Sequence, residues 1–313
     1  MSYSFIIASR GIWLIETAIG RDPHHSLVLI HELGLFYSIF SPPVDKLPKL
    51  PVEHMATAVS TVNYLISNAP KSLALIFGHP DSQYLAWNIA AVIPWNGRVG
   101  EKGVSSAALA AREGLKMNNK DFGILGSTYK HVKAIQEAVQ HNHEQEGGLV
   151  RERAGMLIRG AGATWTYSVL CGLLVDELDH WKVDEDGNPG KCAAEASSDS
   201  LCTEIHTEGE ALEIIHKYDR FVERILELKV ESAYLLAPII NVSILITLIC
   251  ESKLIGSFQG KVLHQLVGQP PGKWVKGALE QIVEWQLKYP EKGVDEANEF
   301  VRGVCGEWVS VKK

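Results

Sequence analysis

Pro270 to Glu291 reads PPGKWVKGALEQIVEWQLKYPE, and the spacing of its apolar residues decides the fold class. A Pro-Pro-Gly turn leads in. Tyr289-Pro290 leads out, because proline cannot continue a helix. Between them Val275, Ala278, Leu279, Ile282 and Val283 recur every three or four residues, the period of an amphipathic α-helix. Glu280 and Glu284 each stand four residues from a lysine, Lys276 and Lys288, the separation at which helical side chains meet. Lys273 and Lys276 lie near the start of this helix. Its first N–H groups have no partner within the helix, and its dipole is positive there, so Lys273 and Lys276 complete a candidate grip for phosphate. Trp274 beside them has two readings, packing or stacking on a base, with packing favoured.

The same period recurs upstream. Asp22-Pro23 is a helix start, a side-chain oxygen followed by proline at the first helical position. Leu27, Ile30 and Leu33 then share one face, and Gly34 fits the C-terminal cap. Ser41 to Pro51 is a Pro-rich connector. Val52 to Ser67 carries a stripe of Met55, Val59, Val62 and Ile66. Leu85 to Ile93 is too apolar to show a period. Ser105 to Lys116 and Tyr129 to His141 are further helices. Arg151 to Arg159 and Trp165 to Leu178 form a pair broken at Gly160-Ala161-Gly162. Leu212 to Leu228 is helical, with Ile215, Tyr218, Val222 and Ile225 inward. No set of period-2 strands occurs, so the expectation is an all-α, irregular helical array with no substantial sheet. Trp181 to Gly209 is rich in Asp, Gly, Ser and Ala without an apolar period, and reads as a solvated acidic loop.

Bulk properties narrow the function. The chain has 313 residues, 46% hydrophobic and 21% charged, enough for a sizeable core. A net charge of −7 argues against wholesale coating of nucleic acid, so any such contact needs locally gathered bases. Asp184 to Glu231 carries a net −8, and Lys253 to Lys292, which includes Lys261, a net +3. Five cysteines, widely spaced and without a CxxC, suit a reducing intracellular compartment and no disulfide framework. The first twenty residues are apolar but interrupted at Ser4, Ser9, Arg10 and Gly11, unlike a signal peptide. Arg10 precedes the first acid, Glu16, which leaves a transit leader open. Leu235 to Cys250 is 16 residues with Pro238 and Asn241 inside, short of the roughly 20 needed to span a bilayer. It reads as a buried helix, and no membrane contact is expected.

Catalytic signatures are sparse. Asp184-Glu185-Asp186 is the sole Asp-x-Asp, but it lies in the turn-like DEDGNPG rather than on a strand that would aim both carboxylates at Mg²⁺. Asp184, Asp186, Asn188 and Glu195 mimic a calcium loop, yet Pro189 stands where that loop needs glycine. The histidines show no third partner at ligand spacing and read as surface or helix-cap residues, so no metal site is assigned. Gly160-Ala161-Gly162 lacks the preceding strand and third glycine of a dinucleotide loop, and reads as a helix–helix turn. Arg151, Arg153 and Arg159 make a second basic edge. The candidate RNA-binding set is therefore Lys261, Lys273, Trp274, Lys276, Arg151, Arg153 and Arg159.

GKWVKGALEQIVEWQLKYPE resembles the C-terminal "GPW…AL…WQ…NP" passage of the class II CCA-adding enzymes, the tRNA nucleotidyltransferases. Asp22 to Phe40 resembles that family's neck. Tyr84 to Trp95 and Arg153 to Leu174 resemble its body, most closely in fungal members. Ala237 to Leu245, APIINVSIL, is similar to the "KPIINGKEI" entry to its tail, with Val242 and Ser243 in place of Gly-Lys. The resemblance implies a neck remnant over residues 1–40, a helical body over 41–235 and a helical tail over 236–313, which together hold tRNA by its acceptor and T-arm backbone. It also implies Mg²⁺, CTP and ATP for the complete enzyme. Those bind a Gly-rich, Asp-x-Asp head that this sequence lacks, so this chain is expected to bind no cofactor and to be inactive alone. The alternative is a helical scaffold that binds protein and not RNA, which the net −7 and the acidic Asp184 to Glu231 region favour slightly.

Overall fold

A computed structural model describes residues 22–42, 48–100, 103–179, 208–239 and 274–310. Among these residues the protein is all-α. The one β-type pairing is an isolated antiparallel bridge between Val99 and Ser105. The helices, in chain order, are α1 Pro23–Glu32, α2 Phe36–Ile39, α3 Glu53–Asn68, α4 Pro80–Val92, α5 Ser106–Leu115, α6 Asn119–Glu144, α7 Arg151–Ala161, α8 Trp165–Asp179, α9 Glu208–Glu227, α10 Trp274–Lys288 and α11 Val294–Ser310. The chain divides into two compact units. The first is Met1–Gly148 with Ala163–Arg224, the second Leu149–Gly162 with Ile225–Lys313.

In the first unit the predicted punctuation is used as read. Asp22 Oδ1 accepts the His25 N–H at 3.0 Å, Pro23 is the first helical residue, and Gly34 ends α1 at φ +64°. The Leu35 and Gly34 N–H groups return to the Ile30 and His31 carbonyls, closing the helix end. Leu27 and Ile30 are buried, but Leu33 is 61% exposed. The helix stops one residue before Leu33, so its side chain leaves the stripe it was expected to extend. On α3 the stripe is Met55, Val59, Val62 and Leu65, with Ile66 half-buried.

Helix α4 is buried at every position from Leu85 to Val92, which explains why its sequence shows no period. His79 caps it, Nδ1 accepting the Asp81 N–H at 3.2 Å. Trp95, just beyond, is fully buried and donates its indole N–H to the Phe40 carbonyl at 2.7 Å. Helix α5 runs close beneath α2. A Cβ on Gly114 would sit 2.1 Å from the Ile39 carbonyl oxygen, so glycine alone permits that approach.

Helix α6 begins ten residues before the expected Tyr129, because Asn118 caps it, Oδ1 accepting the Asp121 N–H at 2.9 Å. Gly123 and Gly126 weaken the helical signal there without breaking the helix. The Gly160–Gly162 break is a helix–helix turn, with Gly162 at φ +74° between α7 and α8. Helix α8 packs along α6 and against α3 and α4. Ile215, Tyr218, Val222 and Ile225 of α9 are all buried. The acidic stretch lies outside the described residues up to 207, and Glu208 and Gly209 already belong to α9. Among the described residues no helix is long and apolar enough to cross a membrane. Most of Leu235 to Cys250, and all of 1–21, fall outside them.

Candidate nucleic-acid interface

The second unit gathers the two basic features that sequence placed far apart. Helix α7 turns Ala154, Gly155, Ile158 and Ala161 inward and packs against α10. Its small residues let α10 come close. A Cβ on Gly155 would lie 2.5 Å from Leu287 Cδ2. Helix α10 answers with Ala278, Ile282, Val283, Trp285 and Leu287, all buried, while Val275 and Leu279 are half-buried. Helix α11 packs on α10, where Trp285 and Phe300 stack with centroids 5.5 Å apart and planes 18° from parallel.

One polar side chain fixes the entry to this tail. Gln286 Oε1 accepts the Ile239 N–H at 2.9 Å, and its Nε2 donates to the Ala237 carbonyl at 3.3 Å. The amide thus pairs with the backbone as a strand would. It joins the "WQ" and "APII" passages that the sequence shows 47 residues apart.

The arginines of α7 are placed differently from a free basic edge. Arg151 Nη1 donates to the Leu228 carbonyl and Arg159 Nη1 to the Leu236 carbonyl. Both carbonyls lie just past helical ends, where acceptors lack partners within the helix. Arg151 and Arg159 are half-buried, the Nε of Arg151 is fully buried without a hydrogen-bond partner, and Arg153 is exposed on the same helix. Lys276 is exposed, with Nζ 4.0 Å from Glu280 Oε1. Trp274 opens α10, whereas Lys273 and Lys261 lie outside the described residues. The structure therefore brings Arg151, Arg153, Arg159 and Lys276 into one unit on two packed helices.

Sequence reasoning missed the other end of α10. Lys288 does not pair with Glu284. Its Nζ sits 5.6 Å from the Tyr289 ring centroid, and Lys292 Nζ sits 4.3 Å from the same ring. The clue was the Tyr289-Pro290 stop, which was read only as punctuation.

In the first unit a groove of about 660 Å³, lined mostly by polar residues, opens between α6, α8 and α9. On its lining, Asp176 accepts from Gln136 Nε2 at 2.5 Å and from the Tyr218 hydroxyl at 2.7 Å. Lys133, Glu137, His141 and Lys217 share the walls, so the groove has no single sign of charge. The core of this unit also holds three buried ionisable groups. Burial raises Glu177 to about 7, although the hydrogen bond with Thr61 lowers it. Burial pushes the Cys171 thiol and the Tyr129 phenol well above their ordinary ranges. A thiol held protonated in this way is not a nucleophile. Among the described residues no three His, Cys, Asp or Glu side chains converge to hold a metal.

With this geometry in place, the likeness to known proteins is informative. The chain is 28% identical over 303 residues to Nucleotidyltransferase lcsQ of Purpureocillium lilacinum, covering 87% of this chain and 47% of that protein. It is 22% identical over 280 residues to tRNA nucleotidyltransferase cca1 of Schizosaccharomyces pombe, covering 86% of this chain and 47% of that protein. It is 21% identical over 198 residues to the mitochondrial CCA tRNA nucleotidyltransferase of Candida glabrata, covering 63% and 29%. No family model and no solved structure matches the chain. The chain thus spans about half the length, or less, of the curated relatives it matches, and those homologues are nucleotidyltransferases that include fungal tRNA enzymes.

Proposed function

We propose that this chain is the tRNA-binding neck, body and tail portion of a nucleotidyltransferase that acts on tRNA 3′ ends. The observation that carries the reading is the extent of the likeness. Two relatives, one named a tRNA nucleotidyltransferase, align with most of this chain and with only about half of themselves. An all-α array with basic side chains on packed helices suits recognition of folded RNA by its backbone, where shape and charge matter more than base edges. In this reading Arg153, Lys276, Lys273 and Lys261 contact phosphate. Arg159 contributes the guanidinium donors that its carbonyl bond leaves over, and Arg151 only those of its terminal nitrogens, because its Nε is fully buried.

Nucleotidyl transfer with Mg²⁺, CTP and ATP is then the work of a catalytic head outside these 313 residues. The sole Asp-x-Asp here, Asp184 to Asp186, sits in a turn-like sequence ill suited to aiming two carboxylates at one metal ion. The test is filter binding of the purified chain to tRNA across a salt series. The expected result is binding that weakens steeply with salt, as counterions released from phosphate demand. Binding that is absent, or insensitive to salt, overturns the proposal in favour of a protein scaffold. CCA addition by the purified chain overturns its catalytic half.

A further inference from the structure

The C-terminal end of α10 carries a built aromatic platform. Tyr289 N–H bonds back to the Trp285 carbonyl at 2.9 Å, and the Lys292 N–H returns to the Tyr289 carbonyl at 3.1 Å. Residues 289–292 therefore form a tight turn. Pro290 occupies its second position, where a fixed φ pre-organises the bend. That turn folds Lys292 back over the Tyr289 ring, with Nζ 4.3 Å from the centroid and 5.9 Å from the Trp285 centroid. Lys288 approaches the same ring at 5.6 Å.

Both lysines are exposed, and neither pairs with a carboxylate among the described residues, although Glu284 is one helical turn from Lys288 and Glu291 adjoins Lys292. Tyr289 is half-buried. Beneath it Trp285 is fixed by its stack on Phe300 of α11. A tyrosine packed on a stacked tryptophan and flanked by two ammonium groups has the composition of a site for single-stranded nucleic acid. The ring stacks on a base, and the cations take the phosphates on either side.

We propose that Tyr289, Lys288 and Lys292 form a stacking site for an unpaired base of RNA, with the two lysines moving from the ring face to the flanking phosphates when the base arrives. For tRNA as the ligand this rests on the function proposed above, and it assigns that RNA a contact at the far end of α10 from Lys273 and Lys276. Glu284, Glu291, Asp295 and Glu296 stand nearby, with Asp295 and Glu296 in the first turn of α11. They keep the site from being a general phosphate sink, so stacking carries much of its affinity.

The experiment measures binding of the full chain to tRNA and, separately, to a short unstructured oligouridine across a salt series. It compares wild type with Tyr289→Phe, Tyr289→Ala and the double variant Lys288→Ala/Lys292→Ala, each checked for its melting transition. Tyr289→Ala should weaken oligouridine binding about tenfold, and Tyr289→Phe should restore it, as stacking without the hydroxyl requires. The lysine pair, being exposed, leaves the fold intact. Its loss should reduce the slope of log affinity against log salt by about 1.4, the share of two single-strand phosphates. Unchanged affinity and slope in the double variant overturn the stacking site, whatever Tyr289→Ala does to folding. If tRNA still binds in that case, the proposed function survives and only this site fails. If the chain ignores tRNA but binds oligouridine through Tyr289, the site stands and the tRNA reading falls.

Discussion

The two units differ in the long-range polar contacts that tie their helices together. In the first, carboxylates reach across the fold to donors. Asp219 of α9 accepts the Ser72 and Leu73 N–H groups at 3.1 and 3.0 Å, and Asp176 accepts from Gln136 and Tyr218. In the second, Arg151 and Arg159 reach carbonyls at helical ends, and Gln286 satisfies a backbone N–H and a carbonyl together. The contrast teaches where formal charge is already spent. Acids that look like surface charge in the first unit are partly structural, and so are arginines that look like an RNA edge in the second.

The sharpest test of this contrast concerns how each unit packs. Both use a glycine where helices come close, Gly114 against the Ile39 backbone and Gly155 against the Leu287 side-chain tip. Backbone cannot yield, so Gly114→Ala should destabilise the first unit by roughly 3 kcal/mol, as overpacking against a fixed atom does. A denaturant midpoint close to wild type would show that α2 can shift away.

Next is the buried acid of the first unit. The Thr61 hydroxyl lies 2.6 Å from Glu177 Oε2 and 3.1 Å from the Thr57 carbonyl, and its single hydrogen serves only one of them. Ionised, Glu177 accepts the Thr61 hydrogen, the bond that lowers it; neutral, it can instead donate to Thr61 Oγ and free that hydrogen for Thr57. Glu177 is held at about 7 in the fold, against an ordinary 4.5. The folded state therefore keeps a proton that the unfolded state has released, and stability falls as pH rises from about 4.5 to about 7. Glu177→Gln, whose amide can donate to Thr61, should stabilise the protein by about 3 kcal/mol at pH 8 and by very little near pH 5. Equal effects at both pH values would mean that Glu177 is ionised in the fold.

Arg159→Met probes the other chemistry. It keeps the aliphatic stem but leaves the Leu236 carbonyl without its donor, a loss of about 2 kcal/mol for a charge-assisted hydrogen bond. The thermal melt should register this loss with no dependence on pH between 5 and 8, because arginine stays charged throughout. The smallest effect expected is that of Gly155→Ala, about 1 kcal/mol, since the atoms a Cβ would meet, Leu287 Cδ2, Cδ1 and Cγ, belong to a side chain that can shift where a backbone carbonyl cannot. A loss equal to that of Gly114→Ala would erase the distinction between backbone and side-chain contact.

Much of the helical framework was legible because local rules govern it. Asp22-Pro23, Gly34, the Gly160–Gly162 break and the α9 stripe follow from capping and period alone. Leu33 was misread because the stripe was carried past the residue where the helix stops. The start of α6 was missed because two glycines mask a cap that only Asn118 announces. The candidate interface was legible as residue types and illegible as partnerships. Nothing local says that Arg151 will meet Leu228, that Gln286 will clasp Ala237 and Ile239, or that Lys288 will prefer a ring to Glu284. Those choices are made by residues tens of positions away, after the helices have packed.

The ties of the second unit also set a timetable. Arg151 and Leu228 are separated by 77 residues, as are Arg159 and Leu236. A ribosome adding roughly 5–20 residues per second therefore exposes α7 for several seconds before its carbonyl partners are made, and for longer before α10 exists to cover it. During that interval the inward face of α7 is Ala154, Gly155, Ile158 and Ala161, with a single bulky side chain among them. The small residues that later admit Leu287 are thus also the ones that make a waiting helix a poor nucleus for aggregation.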